Sequence, residues 1–385
     1  MFATLGAACA PGEVGPEGEG AVASTSQSEL RVVVGPKAVA YDYAEVEGLT
    51  SGVAGDRRLV FVTQALDGRV VALDRFTGEQ VAELPPPPGG FRLPFKLRVP
   101  EEGRLVVLDP GGFPSPVTPS VARVFDYRYQ YRYGHFEASL ERTVSFEGLP
   151  LVFAQDIETL PDGRYVVSES IVGGLWVVRP DGAVEPGILP EQPFVDVIPE
   201  LGPCVFPGAV VDGIPYQLPA EVAPGVAALA TRGGVLYFTS SCRGGIRKVP
   251  VATLGDPTRT PAQRAADIAP VSLRPAGVEA EVIEGLAFNP AKPGERFVYA
   301  TDSLQLRIIR VNIDTGARQE LVEDSVLFDF PSSVAFLPPV LGLTPLVAVS
   351  TQEHRLAAIN VALEADLLRP PWKVTKVYIG GPGGP

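Results

Sequence analysis

The segment Glu284–Val322 reads EGLAFNPAKPGERFVYATDSLQLRIIRVNIDTGARQELV. A short apolar run opens it, and Pro and Gly then break the chain before the strand-like FVYATD at 297–302. A loop leads into RIIRVNID at 307–314, where polar and apolar residues alternate; Asp314-Thr315-Gly316 turns the chain into a last edge-like run. Alternation with a period of two marks strands, and Gly-, Pro- and Asp-rich breaks mark the turns between them. Four short antiparallel strands in about forty residues are the unit of one propeller blade.

The pattern recurs along the chain. Glu47 opens EGLTSGVAGDRRLVFVTQALDGRVVALDRFTGEQV, Gln155 opens QDIETLPDGRYVVSES, Pro224 opens PGVAALATRGGVLYFTSS and Ser332 opens SSVAFLPPVLGLTPLVAVSTQEHRLAAINVA. A weaker copy begins near Phe95 in FKLRVPEEGRLVVLDP. These six units start roughly 48 to 69 residues apart, a spread that loop insertions explain. Four-stranded blades bury both faces only by stacking round an axis, so the fold expected is all-β, a six-bladed β-propeller of four-stranded antiparallel blades. Leu30–Val34 and Lys373–Ile379 are both strand-like and are the candidates for closing the ring. Between Val121 and Phe146, Tyr127, Tyr129, Tyr131 and Tyr133 share one face; such a ladder packs on a neighbouring blade more often than it forms a ligand platform.

Composition agrees with many short strands. The chain has 385 residues, with 41 Gly and 40 Pro, which break long helices but suit tight turns. No apolar run reaches the length of a membrane span. A formal charge of −13 repels phosphates and argues against nucleic acid as a partner. Met1–Ala10 reads MFATLGAACA and resembles the tail of a lipoprotein signal, with Cys9 as the lipidated residue and any membrane contact made through that anchor. The Gly/Glu/Ala/Ser-rich stretch up to Ser28 then reads as a disordered tether. The expected organisation is residues 1–28 as truncated signal and tether and 29–385 as the propeller, in a secreted, periplasmic or lipid-anchored protein. In such a compartment Cys204 and Cys242 become a disulfide candidate, since both fall in segments expected on one face of the same blade. Closing that loop contributes about 3–4 kcal/mol in the chain-entropy model.

A propeller also dictates where chemistry belongs. The innermost strand of each blade starts at the top of the central channel, so six start residues converge there: Glu47, Phe95, Gln155, Pro224, Glu284 and Ser332. The loops between second and third strands open on the same face and add Gln64, Asp109, Glu169, Ser241, Asp302 and the Gln352–His354 stretch. His354, beside Glu353, is a candidate general base because its ordinary pKa lies near neutrality. Asp302 is expected to line the mouth or to support it. His135 falls at a hairpin turn remote from the channel, and Ser240 and Ser241 lack a nucleophile-elbow sequence.

The units EGLAFNP…FVYATDS…RIIRVNIDTG and QDIETLPDGRYVVSES…GGLWVVRPDG resemble the senescence-marker-protein/gluconolactonase (regucalcin) family, over most of Glu47 to Val361. The resemblance implies a divalent cation, calcium or zinc, held on the axis by blade-start side chains, where it polarises a lactone carbonyl and activates water. Carried across, it points to Glu47, Gln155, Asp156 and Glu284 as metal ligands; Glu47 and Glu284, together with Asp302 and His354 from their place at the mouth, are the candidate catalytic groups. Pro224 departs from the pattern, since it stands where a ligand is expected and has no side-chain donor. The function implied is a gluconolactonase-like hydrolase of a lactone or ester, acting on a small molecule at the top of the channel. Two alternatives stay open: a non-catalytic extracytoplasmic binding propeller with a degenerate site, and a metal-independent isomerase or cyclase in which Glu47 and Glu284 do the acid–base work.

Overall fold

Six antiparallel blade sheets, five of four strands and one of four strands extended by a fifth, succeed one another, and the innermost strands contact in sequence until the sixth meets the first. The computed structural model describes residues 31–113, 120–171, 173–189, 208–218, 225–240, 244–274 and 281–380. Chain contacts divide after Leu30, and the unit Arg31–Pro385 carries every described residue. Cys9, Cys204, Pro224, Ser241 and Cys242 lie outside the described residues, as do the expected lipid anchor and disulfide.

Blade 1 runs from Val53 to Glu83, blade 2 from Lys96 to Ser145, blade 3 from Ala154 to Ile188, blade 4 from Val226 to Ser272 and blade 5 from Leu286 to Glu323. Blade 6 combines both ends of the described chain. Its inner strands are Pro331–Phe336 and Leu346–Ser350, Trp372–Ile379 is the third, and Ala38–Val46 pairs antiparallel with it as the fourth. Lys373, expected on a closing strand, ion-pairs across this seam with Asp42 at 2.6 Å and also with Glu45. The other expected strand, Val32–Val34, forms a fifth strand outside Ala38–Val46 rather than the closure itself. The closing strand AVAYDYAEV alternates buried and part-exposed residues only irregularly, so its sequence carries a weak strand signal.

The cores lie between blades. Phe61, Val70 and Ala72 of blade 1 pack on Leu105, Phe125, Tyr127 and Tyr129 of blade 2. The Phe61 and Tyr129 rings meet edge to face with centroids 4.8 Å apart, so the inner half of the tyrosine ladder is inter-blade packing. Tyr133, at the hairpin tip, is almost fully exposed.

Candidate active site at the channel mouth

One device aims side chains at the axis in blade after blade. A hydroxyl on the second strand accepts hydrogen bonds from backbone N–H groups at the start of the first. Thr301 Oγ1 accepts from Glu284 (3.2 Å) and Gly285 (3.0 Å), and Thr63 Oγ1 accepts from Ser51 (3.1 Å) and Gly52 (2.9 Å). Ser168 takes the N–H of Asp156 and Thr239 that of Ala228, both at β-bulges where the ladder slips. Bulges of this kind re-aim a side chain out of the sheet. The hydroxyls also tie neighbouring blades together: Ser168 donates to the Ala227 carbonyl at 2.6 Å and Thr239 to that of Ile283 at 2.8 Å.

This register corrects two of the six expected start positions. Phe95, Gln155, Glu284 and Ser332 stand where expected, but the equivalent residue is Ser51 in blade 1, not Glu47, and Ala227 in blade 4, not Pro224. Glycine contacts give the physical reason. A Cβ on Gly52 would lie 2.5 Å from the Phe95 carbonyl oxygen, and one on Gly285 would lie 3.0 Å from Ser333 Cα; each glycine is pressed against the start of the next blade. Gly48 instead abuts Asp67 and Gln64 of its own blade. The pair EGL at 47 and 284 is thus a coincidence of letters, and the true match is Ser51-Gly52-Val53 with Glu284-Gly285-Leu286. Glu47 is exposed, with Arg69 as its charged neighbour, and does not face Glu284.

The partner of Glu284 is Glu353. The Glu353 charge acts on Glu284, and the Lys96 amine bears electrostatically on both. Lys96 is 1% exposed, Glu353 6% and Glu284 7%, so the cluster is shielded from water. Lys96 comes from the inner strand of blade 2 and crosses to blade 6, donating to the Ser332 carbonyl at 2.7 Å. Glu353 comes from a 3-10 turn, Glu353–Arg355, which begins on Gln352 with a positive φ of 57°. Reciprocal hydrogen bonds with the Arg369 backbone (2.9 and 2.7 Å) and the buried Arg355–Asp329 pair hold that turn.

Burial and mutual repulsion set the protonation of this cluster. Burial first, then the Glu353 charge, holds Glu284 well above the usual carboxylate range, while burial raises Glu353 to about 7. Two carboxyls in contact hold one proton between them when water cannot screen the second charge. Burial lowers the Lys96 amine, and the nearby carboxylates oppose that. Glu284 Oε2 and Ser332 Oγ have no hydrogen-bond partner although both are buried. Such atoms at the point of convergence suit a polar ligand or water.

The other expected site residues have different work. Asp156 is a strut: it takes two bonds at 3.0 Å from Arg98 and the N–H groups of Leu229 and Ile157, both at 2.8 Å, which together use its lone pairs. Gln155 accepts from the Ser170 hydroxyl at 3.3 Å. Asp302 pairs with Arg307, and burial raises it to about 6; its charged neighbours are Arg307, Glu281 and Arg318, not the axial pair. His354 is completely buried against Phe330, its Nε2 lies 3.3 Å from an Asp329 oxygen but outside hydrogen-bonding geometry, and burial lowers it to about 3. It is therefore neutral at ordinary pH and turned away from the channel role expected of it. Asp109 and Glu169 each accept three backbone N–H groups and shape their own loops.

The donor set does not fit the expected divalent cation. Among the described residues no three His, Cys, Asp or Glu side chains come together as metal ligands. Glu47 is absent from the axis, Asp156 is engaged by Arg98, and the charge facing Glu284 and Glu353 is an ammonium. Below the cluster, a cavity of about 160 Å³ is lined by Val53, Leu97, Arg98, Ala287 and Ala335 towards the other end of the channel.

No protein-family model matches the sequence, and no curated protein matches it either. Solved structures do. A gluconolactonase from Xanthomonas campestris superposes with a TM-score of 0.51 at 10% identity, covering 92% of this chain and 96% of that one. A calcium-binding regucalcin from Agrobacterium tumefaciens gives 0.50 at 14% identity, over 88% and 96%. The chain has the gluconolactonase/regucalcin propeller fold. The same fold likeness extends to the PQQ-bound aldose sugar dehydrogenase from Streptomyces coelicolor, with a TM-score of 0.51 at 13% identity over 91% and 98%. A hydrolase and a redox enzyme share this frame, so function has to be argued from the side chains at the axis.

Sequence reasoning missed Lys96 and understated Glu353. Lys96 does carry a signal: it is a cation directly after the blade-start position Phe95, where a blade start meets the axis. Glu353 lies in the Gln352–His354 stretch already placed on the top face, but the histidine drew the attention.

Proposed function

We propose that this propeller acts on a small uncharged carbonyl compound, a lactone or ester, by acid–base catalysis at the Glu284–Glu353 pair without a resident cation. The observation that carries this reading is the buried carboxyl pair Glu284 and Glu353, with buried Lys96 bearing on both, where the blade starts converge. Ionised Glu353 takes a proton from water as that water attacks the carbonyl carbon. The Lys96 ammonium stabilises the negative charge developing on the carbonyl oxygen, as preorganised charge in a dry site does best. Protonated Glu284 then gives its proton to the leaving oxygen, and transfer of the proton on Glu353 to Glu284 returns the pair to its starting state.

Turnover of a panel of aliphatic lactones and aryl esters, after exhaustive chelation, tests this. The expected result is chelator-insensitive hydrolysis that rises through pH 7 as Glu353 ionises, with Glu353→Gln lowering kcat by about 100-fold or more. Activity lost on chelation and restored by calcium or zinc contradicts it. Burial of all three groups favours one second reading, a binding propeller that recognises the same polar ligand without turnover; its mark is ligand binding with no product on the whole panel.

A further inference from the structure

The covering of the axial pair is built from parts distant in sequence. A two-stranded hairpin, Val210–Val211 with Ile214–Pro215, belongs to the connection between blades 3 and 4. It crosses above blade 5 and is fastened to the long loop of blade 6. Asn360 takes the Gln217 N–H at 3.0 Å and donates to the Pro215 carbonyl at 2.8 Å, and the Val361 N–H reaches the Gln217 carbonyl at 2.9 Å. Asp212, at the hairpin turn, ion-pairs with Arg355 and, at 3.3 Å, with Arg369.

Tyr216 follows the hairpin and is 3% exposed. Its ring lies 5.4 Å from that of Phe330 and joins Val211, Val282, Leu304 and Leu306 in a small apolar cluster above blade 5. The Glu284 and Glu353 charges act on its hydroxyl, and its cluster includes Val282, two residues before Glu284. Among the described residues the polar fastenings of this hairpin to blade 6 are the buried Asn360 side chain, the Asp212 ion pairs and one backbone bond, beside the Tyr216–Phe330 ring contact. A two-stranded hairpin with so small an apolar cluster opens locally at lower cost than an inter-blade core.

We propose that residues 208–218 form a strap over the axial site, that its release from blade 6 admits ligand to Glu284 and Glu353, and that Tyr216 sets what fits beneath it. The proposal deepens the reading of that pair as the reacting centre. Blade 6 supplies both a reacting group, Glu353, and the strap's main anchor, Arg355, from the two ends of one 3-10 turn. Strap closure and placement of Glu353 are thereby tied together.

The test uses the intact protein and does not depend on turnover. Carboxyl groups are modified with a water-soluble carbodiimide and glycine ethyl ester at pH 6, and modification at Glu284, Glu353, exposed Glu47 and buried Asp126 is read by peptide mass spectrometry. In the parent protein the axial pair is expected to react far more slowly than Glu47. In the double variant Asp212→Asn, Asn360→Ala the pair should react about tenfold faster or more, with Glu47 and Asp126 unchanged, because two polar fastenings are lost. Asp126, held by Arg104 and Arg142 within blade 2, reports unfolding. If the double variant does not fold, Arg369→Ala at an exposed position gives the same readout with a smaller gain. Equal reactivity of the axial pair and Glu47 in the parent overturns the proposal. So does an unchanged rate at the pair in a folded variant. Because the label reports access alone, absence of lactone or ester turnover would sink the catalytic reading and leave this result standing.

Discussion

Two carboxyl groups in contact and away from water cannot both ionise at neutral pH without a compensating cation, and at the axis that cation is Lys96. Glu353 rises to about 7 from an ordinary 4.5, and Glu284 rises further. The folded protein therefore holds protons that the unfolded chain releases near pH 4.5. The stability linked to these protons is complete below that pH and is lost as pH climbs through 7. Replacing both residues (Glu284→Gln, Glu353→Gln) should flatten the fall in urea midpoint between pH 5 and 7.5. Asp302, raised to about 6, leaves a residual slope. Identical pH slopes in parent and double variant would contradict the assignment. His354 has the opposite sign: depressed to about 3, it costs stability as pH falls below 6.5. Its burial was not legible in the sequence, because a histidine in a top-face loop looks solvated until the Arg355–Asp329 pair and Phe330 are seen to enclose it.

Strands and their pins decide which residues reach the axis, and here the sequence was partly misleading. Alternation placed the strands of blade 5 well, and the turns at Asp314-Thr315-Gly316 and Thr77-Gly78 fall between third and fourth strands as expected. The start of a blade, however, is fixed by a hydroxyl on the facing strand and by contact with the next blade. Neither is visible in a local pattern, so Glu47 and Pro224 were matched three or four residues too early. Thr239 tests the importance of the pins. It accepts from Ala228 N–H and donates to the Ile283 carbonyl, next to Glu284. Thr239→Val, which keeps the shape, leaves two buried backbone groups unpaired and should cost about 2–4 kcal/mol in chemical denaturation. A loss under about 0.5 kcal/mol, within the range of ordinary surface substitutions, would show that the pins are dispensable.

At the scale of the molecule, the propeller is a ring whose joint is made by the two ends of the described chain. Ala38, Ala40, Tyr43 and Val46 are buried on the closing strand, and Lys373 bridges Asp42 and Glu45 across the seam. Full burial of a large side chain such as tyrosine or valine contributes about 1.5–3 kcal/mol, against a total stability of about 5–15 kcal/mol. Removing residues 1–46 should therefore lower Tm by about 10 °C or more and expose the edge of Trp372–Ile379 to aggregation. A truncated protein with the parent's Tm would mean that the ring closes without this strand. The blade count was legible because turn punctuation repeats, whereas the closing strand was not, because it sits far from its blade and alternates poorly.

The central claim is that Glu284 and Glu353 share a proton on the axis where a cation was expected. Infrared difference spectroscopy of the protonated carboxyl stretch, followed from pH 4 to 9 in chelator, measures that proton directly. A buried protonated carboxyl persisting to pH 7 or above, lost or shifted in Glu284→Gln, and unmoved by added calcium or zinc, is the expected result. The absence of any protonated carboxyl above pH 5, or its disappearance on stoichiometric addition of either metal, would contradict the claim.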